Sequence, residues 1–210
     1  MNRRIAVWTA FILLLGSLSL VTTAQESEDA ASPLLFEQPV LVTSIGQSAG
    51  AAQARVVAIR AGIEATYSQR ATLEELEGIK TLIIVLGASS KGLGAAGVDI
   101  DGEIAWANEL LAKVNELGIL VIAMHIEGGA RRGPSSDLIN STFAPLAATI
   151  IVKGSQPDVE WTADESADGN ADGLFTTIAT ENDIPILYID TTLGAVDVLI
   201  ELFGMTPAEG

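Results

Sequence analysis

The chain has 210 residues and no cysteine, and its 27 Asp and Glu outnumber 11 Lys and Arg to give a formal net charge of −16. The missing thiols exclude a disulfide framework, thiol chemistry and cysteine-bound metals. So acidic a surface argues against nucleic acid and anionic membranes as partners.

Arg3 and Arg4 precede an apolar run, Ile5 to Val21, and Thr22-Thr23-Ala24 ends in a small residue suited to cleavage. That order is the one a secretory signal takes. An uncleaved membrane anchor is the alternative reading. Thr9, Gly16, Ser17 and Ser19 interrupt the run, and it falls short of the roughly 20 residues a spanning helix needs. The expected organisation is a signal peptide over 1–24, a tether over 25–38 and a single α/β domain over 39–204. The product would be exported, periplasmic or extracellular, with no membrane contact once the signal is removed.

The tether is acidic and rich in Ser and Ala, with Leu34, Leu35 and Phe36 available to dock on the domain. Pro39 to Ile45 is a compact apolar run of the kind buried in parallel sheets. Ala49 to Ala61 is an alanine-rich helix, ended by Gly62. Ile63 to Tyr67 is a shorter and more polar strand, which suits a sheet edge. Thr72-Leu73-Glu74-Glu75 is a capping box that starts a short helical turn. Leu82 to Leu86 forms the central strand with Thr81, and Gly87 to Gly97 reads as a glycine-rich loop. Asp101 to Leu117 is a long helix with Ile104, Leu110, Leu111, Val114 and Leu117 as its apolar stripe and Gly118 as its C-cap. Ile119 to Met124 is a further core strand, closing on His125. A loop at Gly128 to Gly133, a helix from about Pro134 to Phe143 and a strand at Ala148 to Val152 follow. Lys153 to Gly173 is loop-like, Leu174 to Asn182 helical, Ile186 to Ile189 a strand and Gly194 to Phe203 the closing helix.

Strands alternating with helices at this spacing predict an α/β three-layer sandwich around a doubly wound, mainly parallel sheet of five or six strands, flavodoxin-like or Rossmann-like. With the second strand at an edge, the expected order is 2-1-3-4-5. The loops after strands one and three then lie side by side at the crevice where strand order reverses.

Four segments together resemble a known family: Thr43-Ser-Ile-Gly-Gln-Ser48, Gly87-Ala-Ser-Ser-Lys-Gly-Leu-Gly-Ala-Ala-Gly97, His125-Ile-Glu-Gly-Gly-Ala-Arg-Arg-Gly133 and Asn170-Ala-Asp-Gly-Leu-Phe-Thr176. The resemblance is to an uncharacterised exported prokaryotic family, DUF6305. It implies an exported single domain over nearly all of the mature chain and supplies no activity.

The candidate chemistry gathers at the strand ends. Backbone N–H groups of Gly46, Gln47, Ser48, Gly87, Gly92 and Gly94 offer an anion-binding nest, with Ser89, Ser90 and Lys91 adding hydroxyls and a charge. The loop lacks the third glycine of a dinucleotide fingerprint and reverses the P-loop's lysine–hydroxyl order, so no nucleotide cofactor is assigned. A strand-to-helix turn without a ligand is the plain alternative. His125 lies at the same edge, followed closely by Glu127, Arg131 and Arg132; an arginine can fork onto a carboxylate or phosphate. The plain reading of His125 is a packing residue, and of the arginine pair a bridge to surface acids.

Two sharper patterns compete. Gly46-Gln-Ser-Ala-Gly50 matches the Gly-x-Ser-x-Gly elbow, and Ser48, then Asp99 or Asp101, then His125 runs in hydrolase triad order. Against it, the elbow follows the first strand, with no oxyanion loop before it. Asp168, Asn170 and Asp172 fit the first half of a calcium loop, with Asp164 nearby, but the twelfth position is Ala179 and Glu181 comes too late. Asp172 is more simply the N-cap of the next helix, and the single histidine leaves a closed zinc site without ligands. The favoured expectation is an exported domain that binds a small phosphate- or carboxylate-bearing anion, with Ser48, Ser89, Ser90 and Lys91 as donors and His125 and Arg132 closing the far side. A Ser48/His125 serine hydrolase and a non-catalytic interaction domain, whose glycine loops serve packing alone, are the alternatives.

Overall fold

The computed structural model describes residues 35–206. The expectations for the signal peptide over 1–24 and for the tether as far as Leu34 therefore lie outside the described residues. From residue 35 the chain builds a six-stranded parallel sheet. Its strands are β1 (Val40–Ile45), β2 (Ala65–Ser68), β3 (Thr81–Leu86), β4 (Leu120–His125), β5 (Thr149–Lys153) and β6 (Ile186–Ile189), in the order β2-β1-β3-β4-β5-β6. Six helices connect them: α1 (Gly50–Arg60), α2 (Ser90–Ala96), α3 (Ile100–Glu116), α4 (Pro134–Phe143), α5 (Leu174–Asn182) and α6 (Ala195–Leu202).

The continuous apolar runs resolve into two cores because successive strand side chains point to opposite faces. On one face Leu41, Ile45, Leu82, Ile84, Leu86, Val121, Ala123 and Ile150 pack against α3, α4 and α5. On the other, Val40, Val42, Ile83, Val85, Ile122, Met124 and Ile151 pack against α1 and α6. The sheet is doubly wound, as the alternation predicts. β2 takes the edge its polarity suggests, with Thr66 and Tyr67 exposed. Phe36 docks on Phe203, ring centroids 5.9 Å apart, whereas Leu35 is exposed.

Local signals hold in detail. Thr72 N–H donates to Glu75 Oε2 (2.8 Å) and Glu75 N–H to Thr72 Oγ1 (3.4 Å), the reciprocal bonds of a capping box. Two expectations need correction. The buried stripe of α3 is Glu103, Ala107, Leu110, Leu111 and Val114; Leu117 is exposed and Ile104 only half-buried. The segment Gly87–Gly97 is not loop throughout: Ser90–Ala96 is helical. Ser89 caps that helix by accepting from Gly92 N–H (3.2 Å). Gly97 ends it in the left-handed region at φ 69°, while Val98 N–H donates to Leu93 O.

Candidate functional site

α1, after β1, packs on one face of the sheet and α3, which follows β3 and α2, on the other, so the crevice opens beyond the ends of β1 and β3. The two loops do lie side by side. Gly87 N–H donates to Ile45 O (3.1 Å) and Ser89 N–H to Gly46 O (2.7 Å). The approach is so close that a Cβ on Gly46 would overlap Gly87 O, and one on Gly92 would overlap Gln47 O. A Cβ on Gly87 would run into Cγ of Arg131, whose stem crosses above it. These three glycines are explained by packing. Gly94 is different, with nothing within 4 Å of its Cβ position.

An anion already sits at this crevice, and it is part of the chain. The Glu103 side chain, fully buried in the first turns of α3, accepts from Gly46 N–H (2.9 Å) and from Gln47 Nε2 (2.9 and 3.2 Å) through its carboxylate. Arg70 Nε adds a longer contact at 3.4 Å, and the Arg70 guanidinium lies 4.5 Å from the ring centroid of Trp106. Gln47 holds φ +58°, a left-handed conformation that a non-glycine residue adopts at a cost of about 1–2 kcal/mol. Its bonds to Glu103 hold it there. Composition gave no hint of Glu103, but its place on the apolar stripe, four residues before Ala107, is a signal the α3 sequence does carry.

Other N–H groups of the two loops are engaged as well. Ser48 N–H donates to Ser44 Oγ (2.9 Å), Ala88 N–H to Ser136 Oγ (2.9 Å) and Leu93 N–H to Ser89 O (2.8 Å). Ser90 and Lys91 project from α2 into solvent, away from any enclosed pocket. Arg131 reaches Glu127 Oε1 through Nε (3.2 Å) and Nη2 (3.0 Å), and donates to Ala88 O (3.2 Å). Arg132 bonds Asp137 (2.6 Å), Gly169 O (2.6 Å) and both oxygens of Asp172 (2.9 and 2.7 Å). These contacts raise the Arg132 pKa above its ordinary value and lower that of Asp172, the bond between the two being the largest cause for each.

His125 closes β4 but faces inward. Nδ1 lies 3.0 Å from Leu86 O and Nε2 3.2 Å from Gly128 O, and the ring packs 4.9 Å from that of Phe175. Burial lowers its pKa below the ordinary histidine value, outweighing the two backbone contacts that act the other way. A neutral imidazole can donate to only one of the two carbonyls.

The triad order is therefore not a triad. Both ring nitrogens of His125 face carbonyls, Asp99 caps α3 by accepting from Gly102 N–H (2.8 Å), and Asp101 is exposed. Ser48 is fully buried, its Oγ without a partner, and it does not cap α1, whose N-cap is Ala49. Glu127 Oε2 is likewise buried and unpartnered beside Gly50. The calcium half-loop is also committed inward. Asp168 Oδ1 accepts from Ser155 and Asn170 N–H (both 2.8 Å), Asn170 Nδ2 donates to Ser155 O and Thr176 Oγ1, and Asp172 holds Arg132. Asp172 Oδ1 accepts from Leu174 N–H (3.2 Å) in the turn before α5, but the N-cap of that helix is Gly173, not Asp172 as the sequence suggests. Among the described residues no three Asp, Glu or His side chains are arranged to hold a metal ion.

Two larger cavities remain. One of about 580 Å³ lies over the loop after β5, where Arg132 is outnumbered by Asp137, Glu165, Asp168 and Asp172. The other, of about 680 Å³, opens at the opposite edge of the sheet, between the second half of α3 and the starts of β4 and β5. Leu111, Val114, Ile119, Val121 and Ala147 form its buried floor, and Asn108, Asn115 and Leu146 its exposed rim. None of its twelve lining residues is ionisable.

Residues 37–203 match the family model described as "Domain of unknown function (DUF6305)". No curated protein and no solved structure matches the chain.

Proposed function

The chain belongs to the DUF6305 family, and from its geometry we propose that it is a non-catalytic binding domain that takes a neutral, largely apolar ligand in the groove beside α3. The observation that carries this is the groove's lining: about 680 Å³ without one ionisable side chain, on a chain of net charge −16. Sites for small molecules are concave, mostly apolar and usually 300–1,000 Å³, with a few polar groups to orient the ligand. Asn108 and Asn115, seven residues apart on one face of α3, supply amides at the rim. Ala112, Ala147 and Ala148 leave the space that larger residues would fill.

The small anion favoured by the sequence needs free donors, and those of Gly46, Ser48, Gly87, Ser89 and Gly92 are spent on internal acceptors. An anion at the Gly46 and Gln47 donors would have to displace Glu103. Hydrolysis at Ser48 fares worse, because the hydroxyl is buried and has no base within hydrogen-bond reach.

The test is titration with the neutral fluorescent probe N-phenyl-1-naphthylamine. Saturable binding to the wild-type protein is expected, at least tenfold weaker in Ala112→Phe, which fills the groove from an exposed position on α3. A fluorophosphonate should leave Ser48 unlabelled. Absence of saturable probe binding, or equal binding by Ala112→Phe, would overturn the reading.

A further inference from the structure

We propose that the crevice between β1 and β3 is a carboxylate-binding site that the chain occupies with its own Glu103, and that it accepts a small monocarboxylate such as formate or acetate when that side chain is shortened. This goes beyond the groove and does not depend on it, since the two lie at opposite edges of the sheet.

The donor set is built around an anion. Gly46 N–H and both contacts of Gln47 Nε2 converge on one fully buried carboxylate, with Arg70 completing the set on the solvent side. Gln47 is held at φ +58° with its amide turned inward, and Gly46, at φ +108°, brings the backbone N–H to the same point. Both conformations bring donors onto the Glu103 carboxylate. A β-carbon at Gly92 would overlap Gln47 O, so α2 lies directly against the loop that presents those donors. The site is thus an anion site of the kind the sequence announces at Gly46 and Gln47, with its ligand tethered.

Removing that carboxylate leaves Gly46 N–H and the Gln47 amide buried without acceptors, which costs stability. Glu103→Ala keeps Cβ and removes a CH₂–CO₂⁻ group, so the void matches formate with room to spare and acetate tightly. Phosphate is too large for it. Arg70 is the donor of the set nearest to solvent. That residue's side chain is 37% exposed and, with Trp106 and Ala71, lines a cavity of about 170 Å³.

The experiment measures thermal unfolding of the full chain, wild type and Glu103→Ala, in sodium formate and sodium acetate against sodium chloride at equal ionic strength. The variant should unfold at lower temperature in chloride. Formate should raise its Tm saturably, by roughly 3–6 °C at about ten times its dissociation constant. The wild type should not respond, and Gln47→Ala added to Glu103→Ala should abolish the rise. A folded variant with no carboxylate-specific rise would overturn the proposal, and so would an equal rise in the wild type. If Glu103→Ala does not fold in chloride, refolding from urea decides: recovery of folded protein in formate alone supports the site, and no recovery in either salt rejects it. Probe binding in the groove is read separately on the same samples, so failure of one leaves the other standing.

Discussion

Gly92 and Gly94 lie two residues apart in α2, and the geometry assigns opposite signs to the same substitution. At Gly92 an added Cβ would overlap the carbonyl oxygen of Gln47 and stand 2.9 Å from its Cβ. Neither atom can yield freely, because Gln47 is buried and tied to Glu103. Helix α2 would have to shift by about an ångström, and it is anchored by Leu93 as its one buried side chain. Overpacking of this kind costs about 1–3 kcal/mol, from which the helix-propensity gain of Ala over Gly, about 0.5–1 kcal/mol, must be subtracted. At Gly94 nothing lies within 4 Å, so the propensity gain of about 0.5–1 kcal/mol remains whole. For a domain of this size 1 kcal/mol moves Tm by about 2–4 °C. Gly94→Ala should therefore raise Tm by about 1–4 °C, and Gly92→Ala should lower it by up to about 10 °C. Calorimetry or urea unfolding of the two single variants measures both. If Gly92→Ala is as well tolerated as Gly94→Ala, the packing account of this glycine-rich segment is wrong and the anion-loop reading regains its footing.

His125 should give the protein a pH-dependent stability. Its folded pKa lies below the unfolded value of about 6.5, so the unfolded chain binds a proton that the native one refuses. Stability should be flat above about pH 6.5 and fall by up to about 1.4 kcal/mol per pH unit below it; urea unfolding from pH 7.5 to 5 should show this slope in the wild type and not in His125→Gln, and equal slopes would contradict the buried neutral ring. Arg132→Met, which keeps the stem but loses Asp137, Asp172 and Gly169 O, should cost about 1–3 kcal/mol. Asp172→Asn, at a side chain 62% exposed, should cost under about 1 kcal/mol. Equal and small losses in the two would mean that Arg132 is less committed internally than its bonds indicate.

The fold was legible because its signals are local or periodic. Unbroken runs such as Leu82–Leu86 mark strands covered on both faces, and the polarity of β2 placed it at an edge before any pairing was known. The capping box at Thr72 and the left-handed glycine at Gly118, one residue past the Leu117 C-cap, act over three or four residues and are read directly. The sequence does not announce α2, because Gly92, Gly94 and Gly97 read as loop formers. One of them is there for clearance against Gln47 and another for a left-handed cap, and both are compatible with a helix between them. The α3 stripe was set slightly out of phase because a carboxylate, Glu103, occupies a buried position that pattern reading reserves for apolar residues.

The candidate site was legible only in half, since sequence displays donors and does not say which acceptors will meet them. Gly46 and Gln47 read as backbone donors for a small ligand; in the structure Gly46 N–H and the Gln47 side-chain amide meet the Glu103 carboxylate, 57 and 56 residues along the chain. Arg132 was recognised as a cation at the crevice edge, and Asp172 meets it from 40 residues on. The imbalance of charge explains why such pairings prevail. With 27 carboxylates to 11 cationic side chains, a buried donor in this chain finds an internal acceptor far more readily than it stays open for a ligand, because leaving it unmet costs about 1–3 kcal/mol. Cationic and N–H groups near the crevice are thus poor indicators of binding in this protein. The groove of about 680 Å³ has no ionisable lining residue to be claimed by such pairings, which is why the proposed binding is placed there.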